Sequence, residues 1–393
     1  MTFEDDDDDL NYNEIYQDGG KKIGEGGYGC VYYPAMDCEG KRERGKPYIS
    51  KLQVDGFAAK NEVYVGKLIK NIPNYKRYFA PVISYCKVNK SNLKENGVID
   101  NCAPLTYRRE SNIVMMKIDR VKGVEFNEII RSDIKPKKLL NIIIKSYNYL
   151  LRSVSTLVKN KIVHYDLKSP NIMYDTEKGI PYIIDFGLSI PINVIGNNEK
   201  ILLQDYFYTY SPEYYLWCPE IHMMSLIAIN GSIDERLIQI VCEESLENHP
   251  VLSNIFFKHQ FIAHIKSTVK FYIKKFRELK SSSVNFANYL LETYYTWDAY
   301  SLAIMFLDIV KVIKKNKRYD KNGRDFINLF TRLLLQSVYY NPEKRVNPVN
   351  LDEYLLHYHR KNKGKGKGID IFDGALKDIE RNTEHIQNKL IGA

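Results

Sequence analysis

Cysteine and tryptophan are scarce in this sequence, six and two in 393 residues, and no two cysteines stand in a C-x-x-C pair. The scattered positions Cys30, Cys38, Cys86, Cys102, Cys218 and Cys242 exclude a zinc ribbon. A chain of this length needs no covalent staples, so reduced thiols in a cytoplasmic protein are the expectation. Cys86 and Cys102, which share one polar stretch, are the pair open to a bridge. Long apolar runs are also lacking. The best membrane candidate, Ala299 to Val310, is too short to span and contains Asp308, which reads as a buried helix. The amino terminus has none of the basic character of a secretory or mitochondrial leader. It carries Asp5 to Asp9 instead.

What the chain does contain is an ordinary globular balance, 44% hydrophobic and 27% charged, with a net charge of +9 and 31 tyrosines. A well-solvated, mildly basic surface follows. Residues 1–17 read as a disordered acidic tail, because adjacent aspartates repel and bury nothing. From residue 18 to about 118 short strand-like runs alternate with turns and one helical piece, AAKNEVYVGKLIKNI. The polar stretch between Ser84 and Glu110 reads as a loop or hairpin insertion. From about Leu139 the pattern turns helical. After about His359 a basic, glycine-rich linker and a polar tail are expected.

Four stretches carry chemistry. In IGEGGYGCV, Ile23 to Val31, Gly24, Gly26 and Gly29 have the G-x-G-x-x-G spacing. Glycines let backbone N–H groups approach a phosphate closely, although a glycine-rich hairpin turn has the same look. Val31-Tyr32-Tyr33 reads as a returning strand, which favours a hairpin flap, with Ile23, Gly24, Glu25, Gly26, Gly27, Tyr28, Gly29, Cys30 and Val31 as candidate nucleotide-binding residues. In YISKLQV, Lys51 sits on an apolar strand, where an inward lysine needs an anion and an edge-strand lysine would face water. A helix then offers Glu62 as its partner. In HYDLKSPN, Asp166 is placed to accept or orient a hydroxyl proton, Lys168 to neutralise a transferring phosphoryl group, and Asn171 to give an oxygen to a metal ion. His164 reads as a support for this loop. In IIDFGLS, Asp185 ends an apolar strand as a hard-ion ligand. A lysine and oxygen ligands converging on nucleotide phosphates are the parts of phosphoryl transfer.

The order of glycine loop, strand lysine, helix glutamate, H-x-D-x-K-x-x-N and D-F-G resembles the eukaryotic-type protein kinase family. The resemblance covers roughly Gly20 to His357. It implies an α+β bilobal fold, with a small β-rich N-lobe (about 18–118), a larger helical C-lobe (about 119–357), and ATP with Mg²⁺ in the cleft between them. By match, Lys51 holds the ATP phosphates and pairs with Glu62, Asp166 is the catalytic base, Lys168 meets the γ-phosphate, and Asn171 and Asp185 bind Mg²⁺. WDAYSLAIMF resembles the family's D-x-W-S-x-G helix, so Asp298 is expected to brace the catalytic loop. NPEKRVNP supplies Arg345, expected to pair with the glutamate of an A-P-E-like motif, for which Glu213 and Glu220 both stand available and Glu220 is preferred. These C-lobe elements argue against small-molecule kinases. Lys168, two residues after the base, resembles the serine/threonine class, so the implied partner is a protein with a serine or threonine hydroxyl. The alternative is a catalytically weak pseudokinase scaffold.

The pattern is broken in three places. Tyr165 replaces the arginine that in many relatives receives an activation-loop phosphate, so activity is expected not to need phosphorylation within residues 188–215. The 11-residue step from Lys51 to Glu62 is short. An insertion at about 223–295 is long, and within it Phe257, Phe261, Ile265, Val269 and Ile273 or Phe276 recur at helical spacing opposite Lys258, Lys266, Lys270, Lys274, Lys275 and Arg277. A docked amphipathic helix with a solvated basic face is the expected reading; contact with an acidic partner, nucleic acid or a membrane is the other. The trimmed N-lobe and the Tyr/Asn/Ile/Lys-rich composition look similar to kinases of large DNA viruses of protists, which implies host cytoplasm or the virus particle as the location.

Overall fold

The computed structural model describes residues 20–43, 45–95, 98–99, 101–106, 112–195, 200–316, 319–363, 368–381 and 388–391. The acidic tail expected at 1–17 lies outside them. The described residues fall into two compact units, one made of residues up to Asn71 with Ala80–Arg120, the other of Ile72–Phe79 with everything from Val121 onward.

The first unit is built on an antiparallel five-stranded sheet. Its strands are β1 (Lys21–Gly26), β2 (Gly29–Tyr33), β3 (Tyr48–Val54), β4 (Val82–Asn89) and β5 (Asn112–Asp119), in the order β1-β2-β3-β5-β4. The helix Phe57–Lys70 accompanies it and buries Ala59, Val63, Val65 and Ile69. The core of the unit joins Tyr32 and Leu52 from the sheet to Leu93, Val98, Ile99 and Leu105. Those last four belong to the stretch expected to be a polar loop. They instead sit in or beside two short helices, Lys90–Glu95 and Ala103–Thr106, and the Tyr32 hydroxyl donates to the Val98 carbonyl at 2.9 Å. Sparse apolar residues between lysines and asparagines hid a core-forming segment.

The thiol expectation is also corrected. Cys30 bridges Cys102, and Cys38 bridges Cys86, with Cα separations of 6.0 and 6.1 Å, within ordinary reach of a disulfide. The partners lie 72 and 48 residues apart in sequence; Cys30 and Cys86 stand on β2 and β4, and each is bridged to a cysteine of a connecting segment, so the Cys86–Cys102 pairing does not form. Cys218 and Cys242 are buried free thiols.

The second unit is mainly helical. Its longest helix, Pro136–Lys159, starts with proline at its first position, where a missing N–H costs nothing. It buries Leu140, Ile144, Tyr147 and Leu151, and Tyr147 meets Phe306 and Phe330 edge-on at 5.2 and 5.0 Å. The described residues of the unit also hold five short strands, one before this helix and four after it: β6 (Gly123–Glu125), β7 (Ile162–Val163), β8 (Ile172–Asp175), β9 (Ile180–Ile183) and β10 (Ile190–Pro191). β6, β8 and β9 form one small sheet, and β7 pairs with β10. The expected division at about residue 118 misses the segment Ile72–Phe79, which belongs to this unit: Phe79 bridges Ile183, and the Ile183 N–H donates to the Tyr78 carbonyl at 3.0 Å.

Residues 358–393, expected as a basic polar tail, contain the helix Gly368–Arg381, whose Ile371, Phe372, Ala375, Leu376 and Ile379 are buried. Their spacing is helical, but the glycine-rich run before them masked it. Part of that run, 364–367, lies outside the described residues. In the insertion, the helix Lys258–Glu278 buries Phe261, Thr268, Tyr272 and Phe276. Phe257, expected on the apolar face, is 72% exposed. The buried stripe therefore starts one turn later and runs through Tyr272. Among the described residues no helix is long and apolar enough to cross a membrane.

Candidate active site

In the first unit β1 and β2 form a tight hairpin, with Gly26 opposite Gly29. The two glycines have different reasons to be glycine. A Cβ on Gly29 would fall 1.9 Å from the Leu52 carbonyl oxygen on β3, so the sheet itself requires it. A Cβ on Gly26 would meet nothing within 4 Å among the described residues. Its backbone torsion is also not among the left-handed ones. Neither packing nor strain demands glycine there, and what its missing side chain leaves is room for an approaching phosphate. Ile23 is 55% and Tyr28 40% exposed, at the rim of the same hairpin. Glu25 is held by Lys22 at 2.7 Å. Cys30, grouped with these residues on sequence, is corrected: its side chain is fully buried and bridged to Cys102, leaving only its backbone for a ligand.

Lys51 lies on β3, between β2 and β5, with Val31 and Met116 as its register partners. A central strand rules out the edge-strand reading. Its Nζ stands 2.8 Å from Glu62 Oε2, and the side chains are only 12% and 2% exposed. Two buried charges so close satisfy each other. The short step from strand to helix still allows the pair, because the helix begins at Phe57, directly after the strand.

In the second unit the loop after β7 holds a compact polar group. Asp166 Oδ2 lies 2.8 Å from Lys168 Nζ and 2.9 Å from Asn171 Nδ2. Asn171 Nδ2 also donates to the Asp166 backbone carbonyl at 2.8 Å. With that nitrogen committed, Oδ1 is the atom the amide offers to a cation. Asp185 comes to the same end of the small sheet because β8 and β9 pair with Ile172 opposite Ile183. Asn171 immediately precedes one strand and Asp185 shortly follows the other, and the Ile184 N–H donates to the Asn171 carbonyl at 3.0 Å. Asp185 has a φ of +61°, a left-handed conformation that aspartate tolerates better than most residues. Among the described residues no group of three or more His, Cys, Asp or Glu could hold a metal alone. One carboxylate with one amide oxygen suits Mg²⁺, which keeps waters and shares phosphate oxygens.

The loop is braced from below. Asp298 accepts the N–H groups of His164 at 2.6 Å and of Tyr165 at 3.0 Å. Burial pushes the Asp298 carboxyl up, against the opposing pull of His164 and these two N–H groups. His164 is itself buried, with Nε2 3.0 Å from the Ile184 carbonyl. A carbonyl only accepts, so Nε2 carries the proton. Phe186 packs edge-on against His164 at 5.1 Å and Phe79 at 5.9 Å.

Arg345 and Glu220 form a fully buried ion pair at 2.8 Å. The guanidinium also donates to the Tyr339 carbonyl and lies 5.2 Å from the Tyr300 ring centre. Burial would lower its pKa; Glu220, with Tyr272, Cys218 and Tyr300 beside it, together outweigh this and hold it above its ordinary value. Glu213 sits instead on an exposed turn, its carbonyl accepting the Tyr215 N–H.

Three residues of this region escaped the sequence reading. Tyr272, from the insertion helix, donates a hydrogen bond to Glu220. Trp217 packs tilted against Tyr165, ring centres 4.6 Å apart, and gives its indole N–H to the Tyr165 carbonyl at 2.8 Å. Tyr214 donates its hydroxyl to Asp166 Oδ1 at 2.7 Å. The signal for the last two was the aromatic run YYLWC just before Pro219.

Residues 17–347 match the family model described as the protein kinase domain. The chain belongs to the protein kinase family. Curated relatives agree at low identity. Mitogen-activated protein kinase kinase kinase 5 is 27% identical in Mus musculus over 186 residues, 46% of this chain and 11% of that protein. The Homo sapiens form is 26% identical over 184 residues, 46% of this chain and 11% of that protein. Mitogen-activated protein kinase kinase kinase 15 of Mus musculus is 27% identical over 188 residues, 47% of this chain and 12% of that protein. The aligned region thus spans about a tenth of the length of these relatives. A β-sheet unit followed by a mainly helical one is the architecture the protein kinase family predicts.

Proposed function

We propose that this protein kinase is a serine/threonine kinase that transfers the γ-phosphate of ATP to protein hydroxyls. The observation that carries the proposal is the Asp166 carboxylate with Lys168 Nζ and Asn171 Nδ2 within 2.9 Å of one oxygen. Asp166 receives the acceptor's proton or fixes the hydroxyl's direction. Lys168, 35% exposed, offers its remaining N–H donors to the phosphoryl group in flight. Lys51, paired with Glu62, takes the ATP phosphates, with the backbone of the Gly24–Val31 hairpin above them. Asn171 Oδ1 and Asp185 are the oxygens available to Mg²⁺, which when bound neutralises phosphate charge. Most of the rate enhancement in such a site comes from positioning and fixed charge.

The serine/threonine assignment rests on Lys168 two residues after Asp166. A viral origin belongs to the same proposal and rests on composition and the trimmed first unit. Within it, the two disulfides favour the particle over the reducing host cytoplasm. The domain boundaries proposed are a kinase domain over about 18–357 carrying the insertion at about 223–295.

The test is transfer of labelled phosphate from ATP to a serine-containing basic protein, comparing wild type with Asp166→Asn at equal folded concentration. We expect label on serine or threonine from wild type and a loss of at least about 100-fold in the variant. Equal transfer from both would sink the assignment of Asp166. Mg²⁺-dependent ATP binding without transfer from either would favour the scaffold reading.

A further inference from the structure

The Asp166 carboxylate has two oxygens with different neighbours. Oδ2 faces Lys168 and Asn171. Oδ1 accepts the phenol of Tyr214 at 2.7 Å. An incoming serine or threonine has to bring its hydroxyl to this carboxylate, within hydrogen-bond reach of about 2.6–3.2 Å, and Oδ1 is the oxygen not already facing a cation. A hydroxyl from the chain itself therefore already takes one of the two lone pairs of the oxygen that the substrate's hydroxyl must reach.

The contact is well supported. The Tyr214 ring meets Trp217 edge-on at 4.9 Å, Trp217 packs tilted against Tyr165, and Tyr165 packs on Phe207 at 5.8 Å. The Tyr214 N–H donates to the Ser211 carbonyl at 2.9 Å, and its own carbonyl accepts the Trp217 N–H at 3.0 Å. The stretch from Ser211 to Trp217 is thus a series of tight turns that presents the phenol to the carboxylate. Burial and the neighbouring Asp166 both push the phenol's pKa up, so it stays a proton donor at all ordinary pH values.

We propose that Tyr214 is a tethered competitor of the protein substrate, occupying the acceptor-hydroxyl place on Asp166 until a substrate side chain displaces it. This rests on the reading of Asp166 as the catalytic base. The occupant differs from a true acceptor in being held by its own ring stack, so displacement swaps one hydroxyl for another and swings the phenol aside. Substrates whose binding stabilises the displaced ring are favoured; those offering a bare hydroxyl are not. Tyr214 thereby sets a threshold on which proteins are phosphorylated.

Steady-state kinetics on the full chain, with ATP, Mg²⁺ and a serine-containing basic peptide, test this in three proteins: wild type, Tyr214→Phe and Asp166→Asn. Phenylalanine keeps the ring against Trp217 and removes only the hydroxyl. A hydrogen bond to a charged acceptor is strong enough that its removal should lower the peptide KM by about ten-fold, with kcat/KM rising in step. Activity appearing in Tyr214→Phe where wild type has none supports the proposal equally. An unchanged KM overturns it. So does a fall in kcat at constant KM, which would make Tyr214 a positioning residue for Asp166. Transfer that persists in Asp166→Asn is a separate failure, that of the base assignment, and is read from its own arm.

Discussion

At the scale of single residues, the ion pair Arg345–Glu220 shows how a partner matters more than a charge. Both side chains are essentially unexposed, and taking one away strands the other in a medium that cannot hydrate it. Arg345→Leu is expected to destabilise the protein by about 3–5 kcal/mol. Tyr272→Phe, which removes one hydroxyl from the same carboxylate, should cost about 1–3 kcal/mol. Denaturant titration of the two variants checks the order, and a larger loss for Tyr272→Phe would contradict it. The sequence made Arg345 and Glu220 visible because a closing arginine and a C-P-E turn are local patterns. Tyr272 was invisible, since no local pattern marks which face of an inserted helix will meet a glutamate 52 residues earlier.

At the scale of elements, the segment leading from Asp185 to Glu220 is tied by rings. Tyr165 stands where many kinases have an arginine, and it takes a φ of +71°, an uncommon strain for an aromatic residue. Its ring is buried between Phe207 and Trp217, near both ends of the segment's second half. A phosphate needs a cation to dock on; a ring stack needs none. We therefore expect phosphatase treatment to leave phosphate transfer unchanged, whereas Trp217→Ala should reduce it by about ten-fold or more through loss of the packed loop. Activity abolished by phosphatase and restored by phosphorylation within 188–215 alone would reverse this conclusion. The loop around Asp166 was legible in sequence because its chemistry is packed into eight residues. The small helices between β4 and β5 were not, because Leu93, Ile99 and Leu105 become apolar neighbours only after the chain folds back.

At the scale of the whole molecule, the buried His222 and His249 and the half-buried His264 link stability to pH. Burial holds His222 down at about 3 and His249 and His264 at about 4. Their ordinary value is 6.5, so between about pH 6.5 and 4 the unfolded chain binds protons that the folded one does not. Their contribution is fully present above pH 6.5 and is lost as the pH falls. The melting midpoint should drop steeply from pH 7 to pH 5, and His222→Leu should flatten that slope; an unaltered slope in the variant would exclude His222 as a contributor. The two-unit composition of the chain was readable from the switch between strand-like and helical periodicity. The place of Ile72–Phe79 in the second unit was not, because it depends on contacts with residues far along the chain, Tyr149, Ile183 and Phe186.

The insertion has a last consequence. By sending Tyr272 to the carboxylate of Glu220, it has become a tenant that the building now leans on. Trimming the chain to the length of an ordinary kinase would not recover an ordinary kinase. The excision would open the buried Glu220 carboxylate to whatever filled the gap.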